Sequence, residues 1–213
     1  MFNPLRKHGA LLTGIWTLLV LSAIGAGFEQ RWALSFVALA TLGLAIAPLV
    51  LARRFEITLP VPFVVAITIF LVASVFMGEA FDFYERVWWW DIALHGSSAI
   101  GFGLVGFLFV LMMFEGDRYA APSWAICFMA FTLAVAVGTL WEIFEYAMDN
   151  AFGLNMQKSG LDDTMGDLMV DVLGAGFTSV LGYLYFFAKE RSLLIWPLER
   201  FVALNKRLFR KWR

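Results

Sequence analysis

Residues 60–78 read PVPFVVAITIFLVASVFMG, an apolar run without a charged side chain. About 20 such residues in a helix are enough to cross the hydrocarbon core of a bilayer. The whole chain of 213 residues shares this character, because 61% of it is hydrophobic, 15% is charged and the mean hydropathy is +0.77. Soluble domains are about 45–50% apolar and roughly 25% charged. The composition therefore excludes an ordinary soluble enzyme, a disordered chain and a nucleic-acid binder, and it indicates an integral membrane protein.

Apolar runs bounded by charged residues and prolines predict six membrane spans and an all-α, polytopic fold. The runs lie at 10–28, 33–52, 60–78, 92–114, 122–146 and 165–188. We expect one bundle of six transmembrane helices over residues 1–190, followed by a tail at 191–213. The first run begins after Arg6 and Lys7 like a signal sequence, but the second run follows so closely that an uncleaved helical hairpin is the better interpretation.

The distribution of basic residues predicts the orientation in the membrane. If both termini lie on the same side, 13 of the 16 Lys and Arg residues lie there too. Cytoplasmic segments carry this excess, so we predict a bacterial inner-membrane protein with both termini in the cytoplasm. The tail combines basic residues with an apolar stripe and predicts an amphipathic helix on the lipid surface. That stripe consists of Leu198, Phe201, Val202, Leu208, Phe209 and Trp212.

Acidic residues gather on the opposite side of the predicted topology. Twelve of the 17 Asp and Glu residues lie in outer loops or in the outer halves of helices. They form stripes at helical spacing on three spans: Asp91 with His95, then Glu142, Glu145 and Asp149, then Asp163, Asp167 and Asp171. At about 1.5 Å per residue, Glu142 lies about 10 Å below Asp149 and Asp171 about 12 Å below Asp163. The three stripes therefore predict one pocket about a third of the way into the bilayer.

This pocket predicts a metal site. An ionised carboxylate inside a bilayer costs about 2.5–3.5 kcal/mol, so the group must be neutralised by a bound cation or by protonation. One imidazole with several carboxylates suits Mg²⁺, Mn²⁺, Fe²⁺ or Zn²⁺. We predict one or two divalent ions, with Asp91 also orienting His95; for Asp91 and Asp163, helix capping is an equally good interpretation. The predicted ligands are His95, Glu142, Glu145, Asp167, Asp171, Asp91 and Asp163.

Glycines on the fourth and sixth spans predict close helix packing. Gly101, Gly103 and Gly106 match a nucleotide-binding pattern, but they lie inside an apolar span and follow no strand. Gly174, Thr178 and Gly182 are spaced four residues apart, which places small side chains on one helix face. We therefore interpret both sets as contact positions between helices.

Several short motifs resemble those of the YjdF-like family of bacterial inner-membrane proteins. They are Tyr84-Glu85-Arg86, Trp90-Asp91 with His95, Glu142-Ile-Phe-Glu145, Asp163-Thr164 with Asp167, and a Leu-Gly-Ala after Asp171. The resemblance covers roughly residues 79–176. It implies a polytopic inner-membrane fold and implies no particular reaction.

Three functions remain open from the residues. The first is a metal-dependent hydrolase or transferase acting on a lipid-like substrate at the outer leaflet, without an assigned catalytic residue. The second is a cation or proton-coupled transporter that uses the same carboxylates. The third is a non-catalytic assembly or structural subunit, whose partner is another membrane protein. The inner halves of the spans hold scarcely any ionisable residues, which favours an outward-facing site. The residues leave open the oligomeric state and whether loop 150–160 closes over the pocket.

Overall fold

The structure, a computed structural model, describes residues 4–114, 121–187 and 196–209. Every regular element in these ranges is helical, which confirms the all-α prediction. The helices are α1 (Pro4–Phe28), α2 (Trp32–Arg54), α3 (Val61–Leu71), α4 (Gly78–Ala80), α5 (Phe83–Arg86), α6 (Trp90–Met113), α7 (Ser123–Phe152), α8 (Leu161–Phe187) and α9 (Trp196–Leu204). A π-helical segment at Val72–Met77 joins α3 to α4, and a 3-10 turn at Lys206–Phe209 follows α9.

Six helical segments of the described chain are long and apolar enough to cross a membrane, as predicted. They are Gly9–Phe28, Trp32–Arg54, Val61–Ala80, Trp90–Met113, Ser123–Phe152 and Leu161–Phe186. The fifth extends to Phe152 instead of the predicted residue 146, and the sixth begins at Leu161 instead of 165. The acidic residues at these ends do not interrupt a helix, so α7 continues until Gly153 adopts a left-handed conformation at φ +66°.

The chain forms two compact units, Met1–Trp90 and Asp91–Arg213. A single domain over residues 1–190 stays a prediction. In the first unit, α1, α2 and α3 pack against one another. Small buried residues such as Ala23 and Ala38 bring the helices close, and the hydroxyl of Ser35 on α2 donates a hydrogen bond to the carbonyl of Ala23 on α1 at 2.9 Å. These contacts make the first three spans an apolar scaffold.

In the second unit, α6 and α8 approach each other through small residues. A Cβ atom on Gly174 would lie 2.8 Å from the Cβ of Ala99 and 2.9 Å from the carbonyl oxygen of Gly96. A Cβ atom on Gly103 would lie 2.7 Å from the Cβ of Thr178, whose hydroxyl donates to the carbonyl of Gly174 at 3.2 Å. This confirms the predicted packing positions Gly103, Gly174 and Thr178.

Of the three remaining glycines that we predicted to be packing positions, two contact a neighbouring side chain or backbone and one does not. A Cβ atom on Gly106 would lie 3.2 Å from the carbonyl oxygen of Ala130 on α7, and one on Gly182 would lie 2.6 Å from the ring of Phe107. These two are packing positions as predicted. The prediction is wrong for Gly101, because no atom lies within 4 Å of the place its Cβ would take. Gly101 occupies a face of α6 that has no close neighbour within the described residues.

The C-terminal segment confirms a short helix but places its apolar stripe differently. Leu198, Phe201 and Phe209 are buried within the protein, and the rings of Phe201 and Phe209 are in contact at a centroid distance of 6.3 Å. These three side chains are therefore covered by protein, and a position on the membrane surface stays a prediction. Trp212 and several basic residues used in the topology prediction lie outside the described residues: Arg118, Lys189, Arg191, Arg210, Lys211 and Arg213.

Gly174→Ala tests the close packing of α6 and α8. Alanine favours a helix by about 1 kcal/mol over glycine, but at this position its methyl group would displace α6, which costs about 1–3 kcal/mol. We expect a lower thermal unfolding midpoint in detergent. Gly176→Ala is the matched control, because no atom lies within 4 Å of its Cβ position, and it should leave the midpoint unchanged or raise it. Equal midpoints for the two variants would contradict the packing.

Candidate metal centre

Three helices of the second unit bring ionisable side chains together at their adjoining ends. Asp91 and His95 lie one turn apart in the first two turns of α6. Glu142 lies in the last third of α7, and Asp163, Asp167 and Asp171 follow one another at four-residue intervals along α8. Residues four apart share one helix face, so each helix presents its polar stripe toward the other two. The three stripes therefore meet within this unit, and their depth in the bilayer stays a prediction.

His95 lies at the centre of this cluster. Its Nε2 atom is 3.6 Å from Oε1 of Glu142, 3.9 Å from Oδ2 of Asp167 and 3.9 Å from Oδ1 of Asp91. Its Nδ1 atom is 3.4 Å from Oδ2 of Asp171. The two ring nitrogens thus have different surroundings: Nδ1 faces a single carboxylate, whereas Nε2 faces three.

The cluster is buried although it is rich in acidic groups. His95 is 7% exposed, Glu142 and Asp167 are each 3% exposed, and Asp171 is 1% exposed. Among the described residues, no donor forms a well-aligned hydrogen bond with either carboxylate oxygen of Glu142 or with Oδ1 of Asp171, although the hydroxyl of Thr164 on α8 lies close to the Glu142 carboxylate. Buried charges are costly unless they are paired or coordinate a metal. Four carboxylates around one imidazole therefore form a site that could hold a cation or be neutralised by protonation.

The donor atoms form two overlapping groups that can hold a metal ion. One atom each from His95, Glu142 and Asp167 lies within 4.8 Å of the others, and the same holds for Asp91, Asp163 and Asp167. Metal bonds to nitrogen or oxygen are about 2.0–2.2 Å, so two ligands of a tetrahedral ion are about 3.3–3.6 Å apart. The distances around Nε2 of His95 are close to this range. Asp167 belongs to both groups, which is the arrangement expected of a ligand between two ions.

Two of the predicted ligands, Glu145 and Asp171, lie near the cluster but belong to neither group of possible metal ligands. Glu145 accepts a hydrogen bond from Nε1 of Trp141 at 2.9 Å and belongs to neither group. Asp171 is close to His95 but lies on its Nδ1 side, and it also belongs to neither group. Asp91, which we expected to orient His95, lies on the Nε2 side with the other carboxylates. The sequence spacing could not distinguish these positions, because it does not report the rotation of each helix.

The loop after α7 is anchored over the cluster by polar contacts. Asp149 accepts hydrogen bonds from the backbone amides of Met156 at 2.7 Å and Gln157 at 2.9 Å. The side-chain amide of Gln157 donates to the hydroxyl of Thr164 on α8 at 2.6 Å. Nζ of Lys158 is 3.1 Å from Oδ2 of Asp91. Loop 150–160 therefore reaches from α7 to α6, a question that the sequence had left open.

Gly138 is a site residue that the sequence analysis missed. A Cβ atom on Gly138 would overlap the carboxylate of Asp171, with both Oδ2 and Cγ in contact. The absence of a side chain on α7 thus makes room for the acid that faces Nδ1 of His95. A glycine one helical turn before Glu142 on the same face was the available signal.

Comparisons with known proteins place this fold in a family. Residues 8–187 match the family described as "Predicted membrane protein (DUF2238)". The chain belongs to this family. The YjdF-like resemblance is thereby confirmed, since the YjdF-like proteins are the DUF2238 family.

One relative of this DUF2238 protein comes from Thermotoga maritima and carries the description "Uncharacterized protein". The two chains are 36% identical over 108 residues, which are 49% of this chain and 55% of the relative. The chain thus spans about half the length of this relative. No solved structure matches the chain.

The contact between Gly138 and Asp171 predicts energetic coupling. Gly138→Ala should lower the free energy of unfolding by about 1–3 kcal/mol, because the new methyl group displaces a buried carboxylate. In the double variant Gly138→Ala/Asp171→Ala the overlap is gone, so the two changes should cost less together than the sum of the single changes. Thermal unfolding of the four proteins in detergent measures this coupling. Strictly additive effects would contradict the contact.

Proposed function

We propose that this protein binds a divalent metal ion in the bacterial inner membrane, close to the periplasmic side. The ligands of the first ion are Nε2 of His95 and the carboxylates of Glu142 and Asp167. The observation that carries the proposal is Glu142, which is 3% exposed and lies 3.6 Å from Nε2 of His95. Among the described residues no donor forms a well-aligned hydrogen bond with its carboxylate, although the Thr164 hydroxyl lies close to it. A cation shared with the imidazole nitrogen accounts for this buried carboxylate.

Asp171 has a supporting role in this proposal. With the proton on Nδ1, His95 donates to Asp171 and presents the lone pair of Nε2 to the ion. Histidine ligands commonly donate their other ring nitrogen to a carboxylate, which fixes the ring and raises the basicity of the ligand. Asp171 is therefore a positioning residue, and Glu145, which is bonded to Trp141, is outside the ligand set. Asp91 and Asp163, together with Asp167, form the second group of residues that could hold an ion.

The ligand chemistry limits the metal and the reaction. One imidazole with carboxylates suits Zn²⁺, Mn²⁺ or Fe²⁺, and Mg²⁺ less well because it prefers oxygen ligands only. A bound ion of this kind supplies Lewis acidity and an activated water. His95, Glu142 and Asp167 would orient that ion inside an apolar bundle, where the accessible molecules are lipids. Hydrolysis or group transfer on a lipid-like substrate at the outer leaflet is the reaction class that this setting favours.

The distribution of ionisable residues argues against transport through the bundle. Beyond the cluster, residues 96–113, 123–141 and 172–187 contain no Asp, Glu, His, Lys or Arg. Proton and cation pathways use such residues to cross a membrane. The site therefore opens to one side. The excess of Lys and Arg in the segments assigned to the cytoplasm supports the periplasm as that side.

Elemental analysis of the purified protein tests the metal site. We expect near-stoichiometric Zn, Mn or Fe in the wild type and its loss in Glu142→Gln/Asp167→Asn, because two of three ligands become amides. Glu145→Gln is the comparison variant: it makes the same change one turn away and should retain the metal. Far-UV circular dichroism and size-exclusion chromatography verify folding. A wild type that holds no metal after each ion is added back would contradict the proposal and favour protonated carboxylates, hence transport or assembly.

Cysteine labelling tests the orientation. In a Cys127→Ala background we expect a membrane-impermeant maleimide to label Ser159→Cys in intact spheroplasts, since this exposed residue lies in the loop over the site. Lys206→Cys, which is also exposed, should be labelled only after lysis. The reverse pattern would place the metal site on the cytoplasmic side.

A further inference from the structure

Lys158 is the one basic side chain near a strongly acidic site. Residues 91–114 and 121–187 contain eight Asp and Glu residues but only one Lys and no Arg. Nζ of this lysine lies 3.1 Å from Oδ2 of Asp91, and both side chains are largely buried, at 22% and 19% exposed. This differs from a solvated surface pair, which contributes little and seldom has a fixed geometry.

The lysine is held in place by its own loop. Asp149 binds the backbone amides of Met156 and Gln157, and Gln157 binds Thr164. The backbone of Lys158 also forms a hydrogen bond with Asp163. Lys158 thus contacts two of the three carboxylates that form the second group of possible metal ligands: its ammonium group pairs with Asp91, and its backbone bonds Asp163. The ammonium group therefore lies beside a carboxylate of that group.

An ammonium group and a second metal ion compete for the same carboxylate at this position. An ion bound to Oδ2 of Asp91 would lie about 2.0–2.2 Å from that oxygen, and Nζ is 3.1 Å from the same atom. The two cations would therefore be about 5 Å apart or closer in a partly buried site, where repulsion between like charges weakens the binding of the second ion.

We propose that Lys158 is a built-in cation that occupies the second metal position and limits the site to one ion. The inference rests on the proposed function, because it concerns the position next to the ion held by His95, Glu142 and Asp167. Withdrawal of Lys158 with its loop admits a second divalent ion, bound by Asp91, Asp163 and the shared Asp167. The loop thereby determines whether the centre is mononuclear or dinuclear.

The experiment is a titration of metal-stripped full-length protein in detergent with Mn²⁺. Equilibrium dialysis measures the number of bound ions, and electron paramagnetic resonance reports whether two ions are adjacent through their magnetic coupling. We expect one Mn²⁺ in the wild type and in Lys158→Arg, which keeps the charge. Lys158→Met keeps the length of the side chain without the charge, so it should bind a second, coupled Mn²⁺ at least about tenfold more tightly than the wild type.

Two further variants keep the test decisive. Asp149→Ala retains the lysine but removes the anchor of the loop, so it should also bind the second ion more tightly, even if Lys158→Met does not fold. Lys158→Met/Asp91→Asn lacks a ligand of the second position and should return to one ion.

The outcomes separate the two proposals. A wild type that binds no Mn²⁺ or any other added divalent ion contradicts the proposed function itself. A wild type that binds one ion, together with variants that also bind one ion, overturns only the role of Lys158. A wild type that already binds two coupled ions overturns it as well, because the lysine would then not limit the site.

Discussion

The contact of His95 with carboxylates from three helices is the interaction on which the second unit depends. A membrane interior offers no water to solvate a buried acid, so Glu142, Asp167 and Asp171 must be satisfied by groups within the bundle or by a bound ion. Each of the two ring nitrogens of His95 can form a hydrogen bond with only one carboxylate, and Nδ1 faces Asp171. The remaining acids share the Nε2 side, where the negative charge exceeds what one imidazole can balance. In the proposed metal centre, a bound cation would balance this excess.

Close helix packing makes this arrangement attainable. Gly174 lets α8 approach the backbone of α6, and Gly138 leaves space on α7 for the carboxylate of Asp171. Gly174 lies one turn after Asp171 on α8, and Gly138 lies one turn before Glu142 on α7. The same small residues that promote association of membrane helices therefore also determine how far each carboxylate reaches toward His95.

The loop after α7 changes the charge balance of the acidic cluster. Asp149 accepts hydrogen bonds from two backbone amides of this loop, and the ammonium group of Lys158 pairs with the carboxylate of Asp91. Among the described residues of the second unit, the cluster is thus divided into an inner part around His95, without Lys or Arg, and an outer part with Lys158. Under the proposals above, this division would let two neighbouring cation positions that share Asp167 differ in occupancy.

Much of this could be predicted from the sequence because a helix repeats locally. Run length determined the six spans, and the four-residue spacing of Asp163, Asp167 and Asp171 determined that they share a face at a depth matching Glu142. Helix rotation and distance of approach are not local properties. Only the tertiary structure could place Asp171 on Nδ1 and Asp91 on Nε2 of His95, direct Glu145 to Trp141, and bring Lys158 to Asp91. The physical reason is that spacing along one helix gives the relative positions of its own side chains, whereas their partners depend on how neighbouring helices turn and pack.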